Sequence, residues 1–353
     1  MLFSPKVKGY FIEQTEHAWL MARTSAVGVP CAIEEFREVP LNDTAALAGA
    51  LRDIQLKKSP SGYLHATCAV YPPKRLVRRA SLELKRVKDP GYLVEVCTQQ
   101  FRVEAEKYTL AVLNAADGSD YDINRAAGKE VMFCGLPGED IVAIQNALLA
   151  SGVYPERLEL GSVSVLGGVI DYLAFGKSKT PTLVLEVGGD TTHSYIVSAG
   201  GVEASRPIQQ GIAAMIPVVQ KELGLKDEES AKKLFYSNSF DFTGMGPQLI
   251  KRLLKELQSS IGFYEVQTGQ SIGQVICTLL PAKLDWLESA IATALGVTAL
   301  TFDFNPWLQA RQIGVSDHAA GAGLDRRWFG LLALIARYNL PEAAHAAAAE
   351  KKG

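Results

Sequence analysis

Apolar positions in this chain switch between a two-residue and a 3.6-residue period. Between residues 9 and 39, the clusters Tyr10-Phe-Ile, Ala18-Trp-Leu-Met and Ile33-Glu-Glu-Phe predict three short strands, with Gly28-Val-Pro30 as a turn. Thr44 to Leu56 changes to helical spacing, with Leu47, Leu51 and Ile54 on one face and Asn42 or Asp43 as cap. Strand-like runs follow at His65–Tyr71 and Tyr108–Leu113, and a helix is expected from Pro90 to about Glu106. Gly135-Leu-Pro-Gly138 reads as a boundary. Helices are predicted over Asp140–Ala150 and Val163–Phe175, and Lys177-Ser-Lys-Thr-Pro181 as a hinge. Beyond it come a strand after Gly200-Gly201, helices opening at Gln209–Gly211 and at Lys226–Ser230, and the most regular helix, Pro247–Tyr264. Ile250, Leu253, Leu254, Leu257 and Ile261 form the apolar stripe of that helix. Strand Val275–Thr278, helix Leu284–Leu295, strand Thr298–Phe302 and helix Arg327–Tyr338 complete the pattern, which is that of a mixed α/β protein.

Composition removes several classes of function. The 353 residues are 48% apolar and 21% charged, ordinary for a globular chain with room for two domains. A net charge of −2 gives no overall electrostatic footprint for nucleic acid. The amino terminus lacks the apolar core of a signal peptide, and the strongest apolar run, Trp328–Ala336, falls short of the roughly 20 residues a spanning helix needs. Five scattered cysteines with no Cys-x-x-Cys pair support neither a disulfide framework nor a zinc site, and read as buried thiols. Lys74, Arg75, Arg78, Arg79, Lys85, Arg86 and Lys88 fall within fifteen residues. They read as a solvated charged face, or as a contact surface for an acidic partner or membrane headgroups.

The stretch with the most chemistry is Leu183–Val197, read as strand, Gly-Gly-Asp-Thr-Thr turn and strand. Glycines admit a ligand close to the backbone, successive amides can cradle an anion, and Glu186 and Asp190 could hold a metal or a water. The candidate site is therefore Glu186, Gly188, Gly189, Asp190, Thr191 and Thr192, with Gly211 beyond it, as a phosphate site. A plain β-hairpin has the same appearance, so the segment alone leaves both readings open.

The order of several segments resembles the type IV pilus assembly protein PilM family, relatives of the cell-division ATPase FtsA. The resemblance spans roughly Gly9 to Ala336. Leu183–Val197 is similar to that family's second phosphate hairpin, and Arg206–Gly211 to the next strand and its Gly-Gly turn, with Gln210 in place of the first glycine. Leu223–Leu234 is similar to its "LGLSEEEAEKLK" helix start, and Leu253–Tyr264 to its "EIRRSLDFY" helix. Val77–Leu82 is similar to the strand "VRRIELP", and Gln99–Tyr108 to a helix ending "EAEQYIPF", both in the subdomain that sets this family apart from actin.

The resemblance implies an actin-like ATPase (ribonuclease H-like) fold with two lobes around a cleft and an FtsA/PilM-type extra subdomain. The implied boundaries are 1–62 with 136–180 for the first lobe, 63–135 for the inserted subdomain, 181–220 with 271–340 for the second lobe, 221–270 for its helical subdomain, and 341–353 for a disordered tail. It also implies a cytoplasmic scaffold, peripheral at the inner membrane through a partner. That partner is the cytoplasmic N-terminal segment of a PilN-like membrane protein, with pilus motor ATPases as further partners.

Two departures from the family pattern weaken its nucleotide site. The first hairpin carries Tyr10-Phe-Ile-Glu-Gln-Thr-Glu-His17 where the family pattern has Asp-x-Gly-Ser/Thr, so no glycine opens the turn and Glu16 adds charge beside a polyanion. At ~4 Å such like charges cost on the order of 1 kcal/mol in water and more away from it. The adenine loop, normally Gly-Gly-Gly, is here Cys277-Thr-Leu-Leu-Pro281. No resident cofactor or metal is expected and no catalytic residue is assigned. The alternative is an active ATPase or kinase of the same superfamily that holds ATP and Mg at the second hairpin.

Overall fold

The computed structural model describes residues 7–56, 59–125, 128–237, 239–321 and 323–338. The chain forms two compact units, one from Met1–Tyr71, Glu139–Gly168 and Phe302–Gly353, the other from Pro72–Gly138 and Val169–Thr301. Strands are numbered in chain order.

The first unit is built on a six-stranded sheet in the order β14-β3-β2-β1-β4-β8. Its members are β1 (Gly9–Gln14), β2 (Ala18–Thr24), β3 (Cys31–Pro40), β4 (Leu64–Val70), β8 (Val153–Leu160) and β14 (Ile313–Val315). Antiparallel hairpins join β1 to β2 and β2 to β3, whereas β4 runs parallel to β1 and β8 parallel to β4. The core gathers Ile12, Trp19 and Met21 from the hairpin with Leu47, Leu51 and Ile54 from the helix Thr44–Ile54. Asp43 is the cap of that helix, accepting from the Ala46 amide at 2.8 Å.

The second unit repeats the plan. Its five-stranded sheet has the order β11-β10-β9-β12-β13, from β9 (Thr182–Val187), β10 (Thr192–Ser198), β11 (Gly201–Ile208), β12 (Gln274–Thr278) and β13 (Thr298–Ala299). β9–β10–β11 is an antiparallel meander, and β12 and β13 continue in parallel from β9. Position by position this matches β1–β2–β3 followed by β4 and β8. Helix Lys251–Thr268 buries Leu253, Leu257 and Tyr264 in the same core as Leu183, Leu185 and Ile291.

The same unit carries a three-stranded sheet, β5 (Leu76–Ser81), β7 (Glu130–Pro137) and β6 (Tyr108–Asn114), in the order β5-β7-β6. The segment around Gly135, read as a boundary, is the end of its central strand β7. The helix expected over Pro90–Glu106 is interrupted. An α-helical turn at Tyr92–Val96 widens into a π-helical turn at Cys97–Phe101 and ends at Arg102, whose φ is 57°. A non-glycine residue in that region cannot continue a right-handed helix. All five cysteines are buried thiols outside any disulfide. The Ala-rich tail from Pro341 lies outside the described residues.

Candidate functional site

The second hairpin forms as predicted, with Glu186 opposite His193 across β9 and β10. β9 is covered on both faces, so Glu186, its penultimate residue, is fully buried. A buried carboxylate needs a partner. Here it is Arg75, from the Pro72–Arg75 turn before β5, whose guanidinium donates to Glu186 Oε2 at 2.9 Å. Arg75 also donates to the Pro72 carbonyl at 3.2 Å and is itself buried. His193 is buried beside this pair. Desolvation, reinforced by Arg75 and Arg78, pushes its pKa down to about 3, so the ring is neutral.

The turn itself is occupied by its own chain. The Gly188 amide donates to the Thr191 carbonyl at 3.1 Å. The Gly188 and Gly189 carbonyls accept from the Ile212 and Ala213 amides at 3.0 and 2.8 Å. Those two amides open the 3-10 turn Ile212–Met215 and are donors that an anion at this helix start would use. Gly211 is required for this closure, because a Cβ there would fall 2.3 Å from the Gly189 carbonyl oxygen and 2.5 Å from that of Gly188. Thr192 donates its hydroxyl to the Gln210 carbonyl at 2.7 Å, and Thr191 to Gln209 Oε1 at 3.3 Å. Asp190 is exposed at the tip.

At the loop expected near a base, β12 ends at Thr278 and Leu279 adopts a φ of 64°, a conformation bulky side chains rarely take. Leu280 packs against the second unit's core, and the Cys277 amide donates to the buried Glu288 carboxylate at 2.7 Å.

In the first unit the matching carboxylate is Glu13, again the penultimate residue of the first strand and again buried. It accepts from the Tyr71 hydroxyl at 2.6 Å. Gly330, near the start of helix Phe329–Tyr338, lies so close that a Cβ would fall 1.9 Å from Glu13 Oε1. The partial positive charge of a helix start favours a carboxylate there. Thr15 closes the turn. Its hydroxyl accepts from the His17 and Ala18 amides at 3.2 and 3.0 Å and donates to the Ala18 carbonyl at 3.1 Å.

Arg75 belongs to this site although the sequence pattern places it in a charged face, because nothing near it in the chain marks its partner. The structure divides that face. Arg75 is buried on Glu186, Arg79 pairs with Glu130 at 2.5 Å, and Arg86 pairs with Glu95 at 2.6 Å.

These two sheets, each a three-stranded meander continued by parallel strands, define an actin-like ATPase fold. No protein-family model and no curated protein matches the chain. Among solved structures, it is similar to a chain of the PilM-PilN type IV pilus biogenesis complex at TM-score 0.67 and 17% identity, over 96% of this chain and 100% of that one. Weaker similarities run to the ethanolamine utilization protein EutJ from Carboxydothermus hydrogenoformans (TM-score 0.46, 12% identity, 94% and 90% covered) and to an archaeal actin homolog (TM-score 0.45, 8% identity, 94% and 99% covered). The actin-like fold expected from the sequence segments is thus the fold found. Among the described residues no helix is long and apolar enough to cross a membrane.

Proposed function

We propose that this chain is a non-catalytic scaffold in the inner-membrane platform of a type IV pilus or a type II secretion-like machine. Its partner is the cytoplasmic N-terminal segment of a PilN-like membrane protein, and the motor ATPases of the same machine are further partners. In this reading the chain works in the cytoplasm and reaches the membrane only through that partner. The observation that carries the non-catalytic part is the internal use of the groups a nucleotide would need. Glu186 is neutralised by Arg75, and the turn carbonyls hold the Ile212 and Ala213 amides. Thr15 ties up the first turn.

A magnesium-bound triphosphate does not fit such residues. Its metal would compete with a buried guanidinium for Glu186, and its phosphates would meet a turn already closed on itself. Phosphoryl transfer depends on a complete set of positioned groups, and this set is spent elsewhere. The partner assignment is supported by the ordered sequence segments and by the fold shared with a chain of a PilM-PilN complex along its whole length.

Fluorescence anisotropy with the N-terminal peptide of a membrane protein encoded beside this chain tests the partner, and saturable binding is expected. Calorimetry with Mg-ATP tests the chemistry, and no binding heat is expected. Micromolar affinity with phosphate release would instead favour the active-ATPase reading, whose support is the exposed Asp190 beside Gly188 and Gly189.

A further inference from the structure

Seven arginines lie on the three-stranded sheet, its connections and the neighbouring strand β11, and five of them are matched by a carboxylate. Arg75 pairs with Glu186, Arg79 with Glu130, Arg86 with Glu95, Arg125 with Asp122 and Arg206 with Glu256. Arg102 is exposed to water, which leaves Arg78: among the described residues no acidic side chain pairs with it, it is half-buried, and its Nε–H is buried without an acceptor. It sits on β5 opposite Phe133 of β7. Its guanidinium lies 5.0 Å from the centre of the Phe101 ring, which in turn packs edge-on against Phe133 at 5.5 Å.

The backbone that places Phe101 is irregular. It closes the π-helical turn Cys97–Phe101 and is followed by Arg102 at a φ of 57°. Such turns and strained residues persist where the surroundings fix them, and they concentrate at functional sites. The other wall is β11. The Arg79 amide donates to Ser205 Oγ at 2.7 Å, and Ser205 is the partner of the buried Tyr195 on β10.

An aromatic face offsets only part of the cost of taking a guanidinium out of water. The surroundings add to that cost. Burial lowers the Arg78 pKa, Tyr195 opposes the shift and Arg206 adds to it, while His193 nearby is neutral and supplies no negative charge. One positive charge is left over, on a half-buried guanidinium that lies against one ring.

We propose that Arg78, seated on Phe101, is the docking point for a single carboxylate carried by an acidic side chain of a partner protein segment. A carboxylate matches the unbalanced charge one for one and the fork in shape. Phosphate would also fit the fork, but its dianion brings twice the charge of the one cation left unmatched. The inference rests on the sheet and its arginines, and holds whether or not the partner is PilN-like.

The test is a titration of the full chain, followed through the Arg78 Nε–H and Phe101 ring resonances, with the peptide acetyl-Gly-Glu-Gly-amide, its Gln counterpart and inorganic phosphate. Saturable shifts of both resonances are expected with the Glu peptide at millimolar concentrations, and none with the Gln peptide. Arg78→Gln should weaken binding at least about tenfold, read at Phe101, as removal of a charged hydrogen-bonding partner does. Arg78→Lys keeps the charge but loses the fork, and should bind with intermediate strength. Equal shifts from the Glu and Gln peptides, a response to phosphate alone, or no response in the unsubstituted chain would each overturn the proposal. Anisotropy of the PilN-like peptide on Arg78→Gln then separates the two readings. Unchanged peptide affinity with a lost carboxylate response places the acidic partner elsewhere in the assembly.

Discussion

The two hairpins occupy the same place in two copies of one sheet plan, yet each solves the problem of its buried carboxylate differently. Glu13 in the first unit accepts from the Tyr71 hydroxyl and lies against the start of helix Phe329–Tyr338. Glu186 in the second is held by a full cation, Arg75, delivered from the turn that precedes β5. The difference teaches that the acid at this position is a property of the sheet plan, whereas its counter-charge comes from whatever the later chain brings alongside. It also ties the second hairpin to the turn that leads into the three-stranded sheet.

Removing the counter-charge should expose that contrast most. Arg75→Ala takes the cation away from the buried Glu186, and should cost about 3–5 kcal/mol of unfolding free energy in denaturant melts, while Arg75→Met with Glu186→Leu should recover most of it. An Arg75→Ala loss below about 1 kcal/mol would mean that water reaches the carboxylate and that the two hairpins are alike after all. Tyr71→Phe, the corresponding change in the first unit, removes one hydrogen bond to a carboxylate and should cost about 1.5–3 kcal/mol. If Tyr71→Phe proves the costlier change, the ranking of the two hairpins is reversed.

The histidines sharpen the comparison through pH. His193 has a folded pKa of about 3 against an ordinary value of 6.5, so between those values the unfolded chain takes up the proton and the folded chain does not. Stability is therefore full above 6.5 and falls as pH drops toward 3, by at most about 1.4 kcal/mol per pH unit. His17 at the first hairpin is lowered by burial too, against the opposing pull of Glu16. Urea melts between pH 7 and 4 should thus flatten more in His193→Gln than in His17→Gln. The smallest effect is expected at Leu279. Replacement by Gly relieves a left-handed backbone and should change stability by less than about 1 kcal/mol, with the sign set by the packing that the side chain gives up. A loss well above that would show the side chain to be a fixed part of the loop.

Much of this fold was legible in the pattern of residues, and the reasons are local. Strands β1, β4, β9 and β12 are short apolar runs bounded by polar or turn residues. The helix Lys251–Thr268 keeps an apolar stripe over most of its length. The elements that escaped carry weak signals. β8 holds a proline and four charged or polar residues, β14 is three residues long, and β7 ends in Gly-Leu-Pro, which reads as a stop. The hairpin and its glycines were readable as a turn that could hold an anion. That its carbonyls would hold the Ile212 and Ala213 amides was not, because that depends on how close Gly211 comes.

By itself the sequence determined the alternation of elements, the two hairpins, the acid at the end of each first strand and the missing glycine of the first turn, all consequences of residue type and near neighbours. The fates of those acids were decided only in three dimensions. Arg75 lies 111 positions from Glu186, and Tyr71 lies 58 from Glu13. Nothing in a charged run announces which of its members will be drawn inside, because burial of a cation is set by the carboxylate that waits for it across the fold.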